Sequence, residues 1–238
     1  MKVLIMAAGI GSRISRHLNG QPKCCVKIGD TPLIRYTVEL LNKKGINDIA
    51  LVTGYSRSFI IKALKGLKYK LYTNPFFDVT NSIASAWFAK DFLESNDDYI
   101  IMNGDVFIED NILDILLENG KSPLFLADST RIEDADYRFN WENNKLIKYG
   151  KELSIEETTG EYVGIAKISK NDIDFMKQKL EYFINIQKHN FWWEDIFYRS
   201  LEEKDVCIYD IKGNFWAEVD YIEDYERIQN YIKGKNNE

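Results

Sequence analysis

The chain of 238 residues is 45% hydrophobic and 29% charged, and its formal net charge is −6. This balance predicts a globular protein with a sizeable core, and the negative charge argues against non-specific nucleic-acid binding, which needs a basic surface. No apolar stretch approaches the roughly 20 residues of a membrane-spanning helix, and the first apolar run is too short for a signal sequence. We therefore expect no nucleic-acid partner, no membrane partner and a cytoplasmic location.

Cysteine and histidine are both scarce in this chain. The cysteines Cys24, Cys25 and Cys207 are odd in number and poorly spaced for a disulfide framework, which predicts a reduced environment. The only histidines are His17 and His189, which excludes a zinc site built from several histidines.

Predicted strands and helices alternate through the first half of the chain. The run KVLIM is fully apolar, as expected of a buried parallel strand. The first helix is predicted to have Thr31 as its N-cap, Pro32 at its first position and Gly45 at its end. This alternation predicts a mainly parallel sheet with helices on both faces. The elements in order are KVLIM, TPLIRYTVELLNKKG, DIALVTGY, RSFIIKALKGL, YKLYTN, TNSIASAWFAKDFLES, DYIIMNGDVF and NILDILLENG.

The second half of the chain has a different pattern. The segments PLFLADST, YRFNWENNKLIKYGKEL and GEYVGIAKIS predict strands and turns in an antiparallel or mixed arrangement. Helices are predicted at 171–183 and at about 192–203, and YIEDYERIQNYIKG predicts a last amphipathic helix after the strands DVCIYDIKG and WAEVD. We expect a Rossmann-like α/β fold with a mixed, mainly parallel sheet and a small β-rich elaboration.

The segment MAAGIGSR directly follows the first predicted strand. It lacks the G-x-x-x-x-G-K-[ST] pattern of a P-loop. A dinucleotide-binding fingerprint is also excluded, because Ile14 stands where the third glycine after Gly9 and Gly11 should be, and Asp30 precedes a helix. The small residues instead let backbone N–H groups approach a phosphate closely, and Arg13 adds positive charge.

A second motif, QPKCCVKIGDTPLI, places Lys23 ten residues after Arg13. Together, MAAGIGSR and QPKCCVKIGDTPLI resemble the signature of nucleotidyltransferases that activate phosphorylated small molecules. The resemblance continues in GINDIALVTGY, NGDVF, GEYVGIAKIS and WAEVDYIEDYERI. The short chain and the segment NPFFDVTNSIASAWFAKDFL are most similar to phosphocholine-type cytidylyltransferases.

The resemblance implies a fold like that of the nucleotide-diphospho-sugar transferases, in a single domain spanning 1–238. Residues 1–127 would form the nucleotide-binding half, and residues 128–238 the acceptor-binding half with the C-terminal helix. The implied reaction transfers a cytidylyl group from CTP to a small phosphorylated metabolite of the phosphocholine, phosphoglutamine or aminoethylphosphonate type, and releases pyrophosphate. Its product would feed capsule or surface-polysaccharide biosynthesis.

The family pattern also implies roles for residues of the first half. Arg13 would contact the β- and γ-phosphates, and Lys23 would lie near the α-phosphate; with Asp105 they are the candidate catalytic residues. Because Asp105 ends a parallel strand, where open α/β sheets bind ligands, we expect it to hold Mg²⁺ together with Asp220. Glu218 is a weaker candidate on the same face of its strand. The candidate nucleotide-binding residues are Ala7, Ala8, Gly9, Gly11, Ser12, Arg13, Lys23, Tyr55, Asn81, Ser82, Ser85 and Gly104.

The acceptor pocket is expected in the second half. Lys148 and Lys151 would hold the acceptor phosphate, and the segment FWWED would suit a quaternary ammonium through aromatic rings and carboxylates. Arg131 and Arg138 would suit an acceptor that carries its own carboxylate. The candidate substrate-binding residues are Lys148, Lys151, Glu161, Tyr162, Trp192, Trp193 and Glu194.

Three alternatives stay open at this point. The first is a sugar-1-phosphate nucleotidyltransferase that uses UTP, dTTP or CTP. The second is a nucleotide sensor without activity, which would not need Arg13, Lys23, Asp105 and Asp220 together. The third is a glycosyltransferase, although NGDVF lacks the first aspartate of a D-x-D motif. The sequence is compatible with a monomer or a homodimer.

Overall fold

The computed structural model describes residues 1–11, 13–14 and 18–235. The strands are β1 Lys2–Ala7, β2 Lys27–Ile28, β3 Thr31–Pro32, β4 Ile49–Thr53, β5 Lys70–Thr73, β6 Tyr99–Asn103, β7 Val106–Ile108, β8 Leu124–Asp128, β9 Arg138–Glu142, β10 Lys145–Gly150, β11 Gly160–Ile168, β12 Cys207–Asp210 and β13 Trp216–Glu218. Within this part of the chain, nine of these strands form one sheet in the order β5-β4-β1-β6-β11-β8-β12-β10-β9.

The sheet is parallel in its first half and mixed in its second. Strands β5, β4, β1 and β6 are parallel, and Leu4 of β1 lies between Ala50 and Ile101. Strand β11 runs antiparallel to both β6 and β8, whereas β12 is parallel to β8. The antiparallel hairpin of β9 and β10 forms the far edge. The predicted α/β class with a mixed, mainly parallel sheet is confirmed.

Helices cover both faces of the sheet, because side chains along each strand alternate between the faces. The helices are α1 Leu33–Lys43, α2 Arg57–Ala63, α3 Ser82–Phe88, α4 Asp110–Glu118, α5 Lys170–Asn185, α6 Asp195–Tyr198 and α7 Ile222–Lys235. Leu4 and Met6 pack into one core with residues of α3, α5 and α6, whereas Val3 and Ile5 pack into a second core with residues of α1, α2 and α4. A smaller third core includes Ile228 of α7.

Two predicted helices differ from the structure. The first helix begins at Leu33 rather than at Pro32, because Thr31 and Pro32 pair with β2 in a short antiparallel ladder. The helix predicted at 192–203 is only the four-residue α6, followed by turns. No helix in the described part of the chain is both long enough and apolar enough to cross a membrane.

A buried aspartate attaches the two-stranded sheet of β7 and β13 to the main sheet. Asp128, at the end of β8, is only 2% exposed. Its carboxylate accepts hydrogen bonds from Trp216 Nε1 at 2.9 Å, from Gly213 N at 3.0 Å and from the Thr130 backbone and hydroxyl groups. Because β13 leads directly into one wall of the cleft described below, Asp128 positions that wall.

Replacing this aspartate, in Asp128→Ala, should destabilise the protein strongly. The substitution leaves several partly buried donors without an acceptor, and each such donor costs about 1–3 kcal/mol. We expect the free energy of unfolding, measured by urea denaturation, to fall by about 3 kcal/mol or more. The control Asp91→Ala, at an exposed position, should change it by less than about 0.5 kcal/mol. Equal effects of the two substitutions would contradict the role given to Asp128.

Candidate active site

A cleft of about 450 Å³ lies over the carboxyl ends of β1 and β6, where ligands bind in open α/β sheets. The loop after β1 forms its floor through Ala8, Gly9 and Gly11. Gly104 lies directly below this floor, where its backbone N–H donates to the Met6 carbonyl at 2.8 Å. The strand order therefore brings the glycine loop and the NGDVF segment together, although about 90 residues separate them in the sequence.

Position 11 needs a glycine, because the Lys23 side chain occupies the space that a Cβ atom would fill. It has a φ of +67°, and a Cβ atom at this position would lie 2.3 Å from Lys23 Cγ. The Lys23 stem thus crosses directly over the glycine loop. A 3-10 turn at Lys23–Cys25, with Cys24 and Cys25 buried below it, holds the base of the lysine.

The Lys23 ammonium lies between two carboxylates. Its Nζ atom is 2.7 Å from Asp105 Oδ2 and also forms an ion pair with Asp220. Burial would by itself lower the pKa of Lys23, but the neighbouring carboxyl groups outweigh burial and raise it. Burial would raise the pKa of Asp220, but the positive charge of Lys23 holds that pKa below its usual value.

The two carboxylates meet because β7 and β13 are paired. Val106 lies opposite Glu218 in this antiparallel ladder, and Val219 N donates to the Asp105 carbonyl at 3.0 Å. This pairing places Asp220 beside Asp105 even though 115 positions separate them. Glu218 is partly buried at the same place, and the loss of water together with the nearby charge of Asp105 raises its pKa well above the usual value.

Arg13 extends this arrangement into a chain of alternating charges. Its guanidinium is 2.7 Å from Asp220 Oδ2 and 3.7 Å from Asp136 Oδ2. Lys151 Nζ in turn lies 2.7 Å from Asp136 Oδ2. The glycine loop is thereby connected through Asp136 to the β9–β10 hairpin region on the opposite side of the cleft.

The residues at this point fit a divalent cation of the Mg²⁺ type. Asp105 and Asp220 converge on one position, which the Lys23 ammonium neutralises in the structure. No group of three or more metal-ligating side chains occurs in the described residues. Mg²⁺ in enzymes of nucleotides needs only one or two carboxylates, since phosphate oxygens and water complete its octahedron. The two carboxylates beside the glycine loop are such a donor set.

One end of the cleft is formed by the start of α3. Asn81, Ser82 and Ser85, which the sequence analysis proposed as nucleotide-binding residues, all line it. The Asn81 side chain also caps the helix by accepting from Ser82 N at 2.8 Å. Ser85 Oγ accepts from Asn74 Nδ2 at 3.1 Å, and the ring of Phe77 forms the adjacent wall. Neither Asn74 nor Phe77 was predicted.

Three predicted nucleotide-binding residues lie behind the cleft wall rather than on it. Ala7 is buried in β1, and Gly104 and Tyr55 support the floor through backbone hydrogen bonds. Tyr55 N donates to the Ala8 carbonyl at 3.1 Å. Ser12 lies outside the described residues.

The opposite end of the cleft contains predicted acceptor residues together with aromatic residues that the sequence did not single out. Glu161 and Glu194 are buried there, and Tyr162, Lys151 and Trp192 also line the cleft. The residues missed by sequence reasoning are Tyr137 and Tyr198, which line the same end, and Asp136.

Two predicted acceptor residues do not reach the cleft. Trp193 is fully buried and stacks on Phe125 at a ring distance of 5.8 Å, so it is a core residue. Lys148 points away on the hairpin, where its ammonium lies 2.6 Å from Glu157. The neighbours of Trp193 in the chain, Trp192 and Glu194, do line the cleft.

The two arginines considered for an acceptor carboxylate have other partners. Arg131 forms an ion pair with Glu161 and lies 5.5 Å from the ring of Trp216. Arg138 donates to the Leu153 carbonyl at 3.0 Å. Neither arginine lines the cleft, so the structure gives no support for an acceptor carboxylate bound by them.

The family assignment follows from comparison with known proteins. Residues 3–133 match the family model of the MobA-like NTP transferase domain. The chain therefore belongs to this family of nucleotidyltransferases, and the family resemblance found in the sequence is confirmed.

Among its relatives, the chain is 24% identical to the choline-phosphate cytidylyltransferase of Streptococcus pneumoniae, over 99% of this chain and 100% of that protein. It is 28% identical to the CTP:phosphoglutamine cytidylyltransferase of Campylobacter jejuni, over 95% and 98% of the two chains. A solved structure of the CTP:phosphocholine cytidylyltransferase of Streptococcus pneumoniae superposes with a TM-score of 0.77 at 19% identity, covering 97% and 98% of the chains. At this identity the structural likeness shows a shared fold.

The buried Glu194 should give the protein a characteristic dependence of stability on pH. Burial raises its pKa from 4.5 to about 8, so the folded state holds a proton that the unfolded state releases. The contribution of Glu194 to stability therefore decreases as pH rises from 4.5 to about 8. The titratable groups near Glu194 come from three elements. They are Asp195 and Tyr198 of α6, Tyr162 of β11 and Glu218 of β13.

We therefore expect Glu194→Gln to become more stable relative to the wild type between pH 5.5 and 8.5. Urea denaturation at four pH values within this range measures the difference. The exposed Glu118→Gln serves as the control, and its unfolding free energy should parallel that of the wild type. A Glu194→Gln curve that also runs parallel to the wild type would contradict the raised pKa.

Proposed function

We propose that this nucleotidyltransferase transfers a cytidylyl group from CTP to a small acceptor that carries a phosphate or phosphonate group. The observation that carries the proposal is the convergence of two cations and two carboxylates over one glycine loop. Lys23 and Arg13 face the place where phosphates would lie, and Asp105 and Asp220 meet beside them. This combination suits a polyphosphate and a divalent cation together.

The choice of CTP is supported by the relatives. The proteins that match almost the whole chain are described as cytidylyltransferases for choline phosphate and phosphoglutamine. The α3 end of the cleft offers short polar groups and backbone, which can hydrogen-bond the edge of a pyrimidine. The deep second end of the same cleft leaves room for a small acceptor.

In the proposed reaction, an oxygen of the acceptor phosphate attacks the α-phosphorus of CTP. The bond from the α-phosphorus to the oxygen that bridges to the β-phosphate breaks, and pyrophosphate leaves with that electron pair. The nucleophile is already an anion near neutral pH, so the reaction needs no protein base. Catalysis then depends on positioning the two anions and on neutralising their charge.

The ion pairs of the structure must exchange partners when the nucleotide binds. Lys23 and Arg13 would leave Asp220 and contact phosphate oxygens, with Lys23 nearest the α-phosphate. Asp105 and Asp220 would then hold the cation, which is Mg²⁺ in this proposal. When bound, Mg²⁺ neutralises phosphate charge and orients the triphosphate.

A pyrophosphate-release assay with Mg²⁺ tests this function. It crosses CTP, UTP, dTTP and ATP with phosphocholine, phosphoethanolamine, aminoethylphosphonate, phosphoglutamine, glycerol phosphate and sugar 1-phosphates. We expect turnover with CTP and a non-sugar acceptor. Turnover only with UTP or dTTP and a sugar 1-phosphate would replace the proposal with a sugar-1-phosphate nucleotidyltransferase. Nucleotide binding without any turnover would indicate a sensor.

The substitution Lys23→Met should lower kcat more than it weakens nucleotide binding. A preorganised positive charge at the reacting phosphate contributes roughly 100-fold or more to the rate, whereas the triphosphate keeps its other contacts. Steady-state kinetics with saturating acceptor should therefore show the loss mainly in kcat, with a small change in the KM for CTP.

The matched control for this experiment is Lys27→Met, because Lys27 is exposed and lies four residues further along the same segment. It should retain the wild-type kcat. Thermal unfolding of both variants checks that they are folded. A Lys23→Met enzyme with an unchanged kcat would refute the role of Lys23 at the α-phosphate.

A further inference from the structure

The acceptor end of the cleft contains a pocket of unusual chemistry. We define the tyrosine–glutamate pocket as Glu194, Tyr162 and Tyr198, with Tyr137 and Trp192 at its opening. All five residues line the cleft. Glu194, Tyr162 and Tyr198 are only 5%, 6% and 3% exposed, so their polar atoms have been removed from water and need partners.

Two of these polar atoms, the tyrosine hydroxyl oxygens, have no hydrogen-bond partner among the described residues. In the part of the chain that the structure describes, the hydroxyl oxygens of Tyr162 and Tyr198 are buried without any hydrogen bond. The Tyr162 hydroxyl lies beside the Glu194 carboxyl group, but the two do not form a hydrogen bond of good geometry. A buried unsatisfied polar group costs about 1–3 kcal/mol, so the two hydroxyl groups beside one buried carboxyl group indicate a ligand that satisfies them.

The Glu194 carboxyl group makes this pocket suitable for a cationic ligand. The other buried carboxylates nearby already have partners: Glu161 is paired with Arg131 and accepts from Asp136 N at 2.7 Å, and Asp195 lies 2.9 Å from Arg199. Glu194 has no ion pair with any described residue. Burial in this setting raises the pKa of Glu194 to about 8, and a bound positive charge would offset the cost of its ionisation.

The ring faces of Tyr162 and Tyr198 pack against other aromatic rings. The Tyr198 ring stacks against both Tyr149 and Tyr137, with centroid distances of 4.7 and 5.7 Å. The Tyr162 ring stacks on Phe139 at 5.2 Å. A cation–π contact needs an open ring face, and stacking has covered the faces of these two tyrosines.

We propose that the tyrosine–glutamate pocket selects an acceptor whose cationic end is a primary ammonium group, in preference to a quaternary one. A primary ammonium has three N–H donors, and the pocket offers three oxygen acceptors, on Glu194, Tyr162 and Tyr198. A trimethylammonium has no donor, so it would leave both hydroxyl groups unsatisfied. This inference rests on the proposed function, because the phosphate end of the same acceptor is the nucleophile.

The direct test uses acceptors that differ only in N-methylation. Phosphoethanolamine, its N-methyl and N,N-dimethyl derivatives and phosphocholine are compared with CTP and Mg²⁺. We expect kcat/KM to fall with each methylation, by at least about tenfold between phosphoethanolamine and phosphocholine. A decrease of this size corresponds to the loss of one to two charged hydrogen bonds. 2-Aminoethylphosphonate carries the same primary ammonium group on a phosphonate. Comparing it with phosphoethanolamine shows whether the enzyme prefers a phosphonate or a phosphate as the nucleophile. Phosphocholine used equally well or better overturns the inference.

Three variants assign the selectivity to particular atoms. Tyr162→Phe and Tyr198→Phe remove only the hydroxyl groups, so they should reduce kcat/KM for phosphoethanolamine and leave that for phosphocholine nearly unchanged. Glu194→Gln should weaken both acceptors, because it removes the negative charge. Tyr149→Phe is the matched control, since Tyr149 belongs to the same ring stack but does not line the cleft. Equal effects of the tyrosine variants on both acceptors would overturn the inference.

A binding measurement separates this inference from the proposed function. Titration calorimetry of phosphoethanolamine and phosphocholine, without nucleotide, needs no catalysis. Tighter binding of phosphoethanolamine that is lost in Tyr198→Phe supports the pocket even if no acceptor is turned over, in which case only the transfer proposal fails. Tighter binding of phosphocholine refutes the pocket assignment, whatever the outcome of the transfer assay.

Discussion

The ion pairs of the Lys23 ammonium with Asp105 and Asp220 are the interaction on which the site depends. Three separate parts of the chain must be correctly placed for it to form. The glycine loop must let the lysine stem pass over Gly11, β6 must end just before Asp105, and β13 must pair with β7. Like-charged carboxylates this close repel each other, so the lysine between them stabilises their approach.

The charge chain that continues through Arg13, Asp136 and Lys151 connects the two halves of the cleft. The glycine loop and the hairpin on the opposite side of the cleft are thus held together by these ion pairs. Under the proposed function, phosphate oxygens would replace Asp220 as the partner of Lys23 and Arg13.

The two ends of the cleft differ in whether their polar groups already have hydrogen-bond partners within the protein. The α3 end uses backbone and short polar side chains, which are already hydrogen-bonded within the protein, as Asn81 and Ser85 show. The tyrosine–glutamate pocket instead contains buried oxygens without partners. Unsatisfied groups discriminate strongly between ligands that can and cannot bond to them, so the acceptor end is where selectivity is expected.

The sequence by itself determined the strand–helix alternation, the glycine loop and the motif residues Lys23, Asp105 and Asp220, because these features are encoded by local periodicity and short motifs. It placed Trp193 and Lys148 wrongly, and it did not find Tyr137 or Tyr198. The tertiary structure decided these positions, because the direction of a side chain near a short helix or a hairpin depends on packing between distant segments. Ring stacking and the loss of water from Glu194 are likewise properties of the assembled core, which no local pattern records.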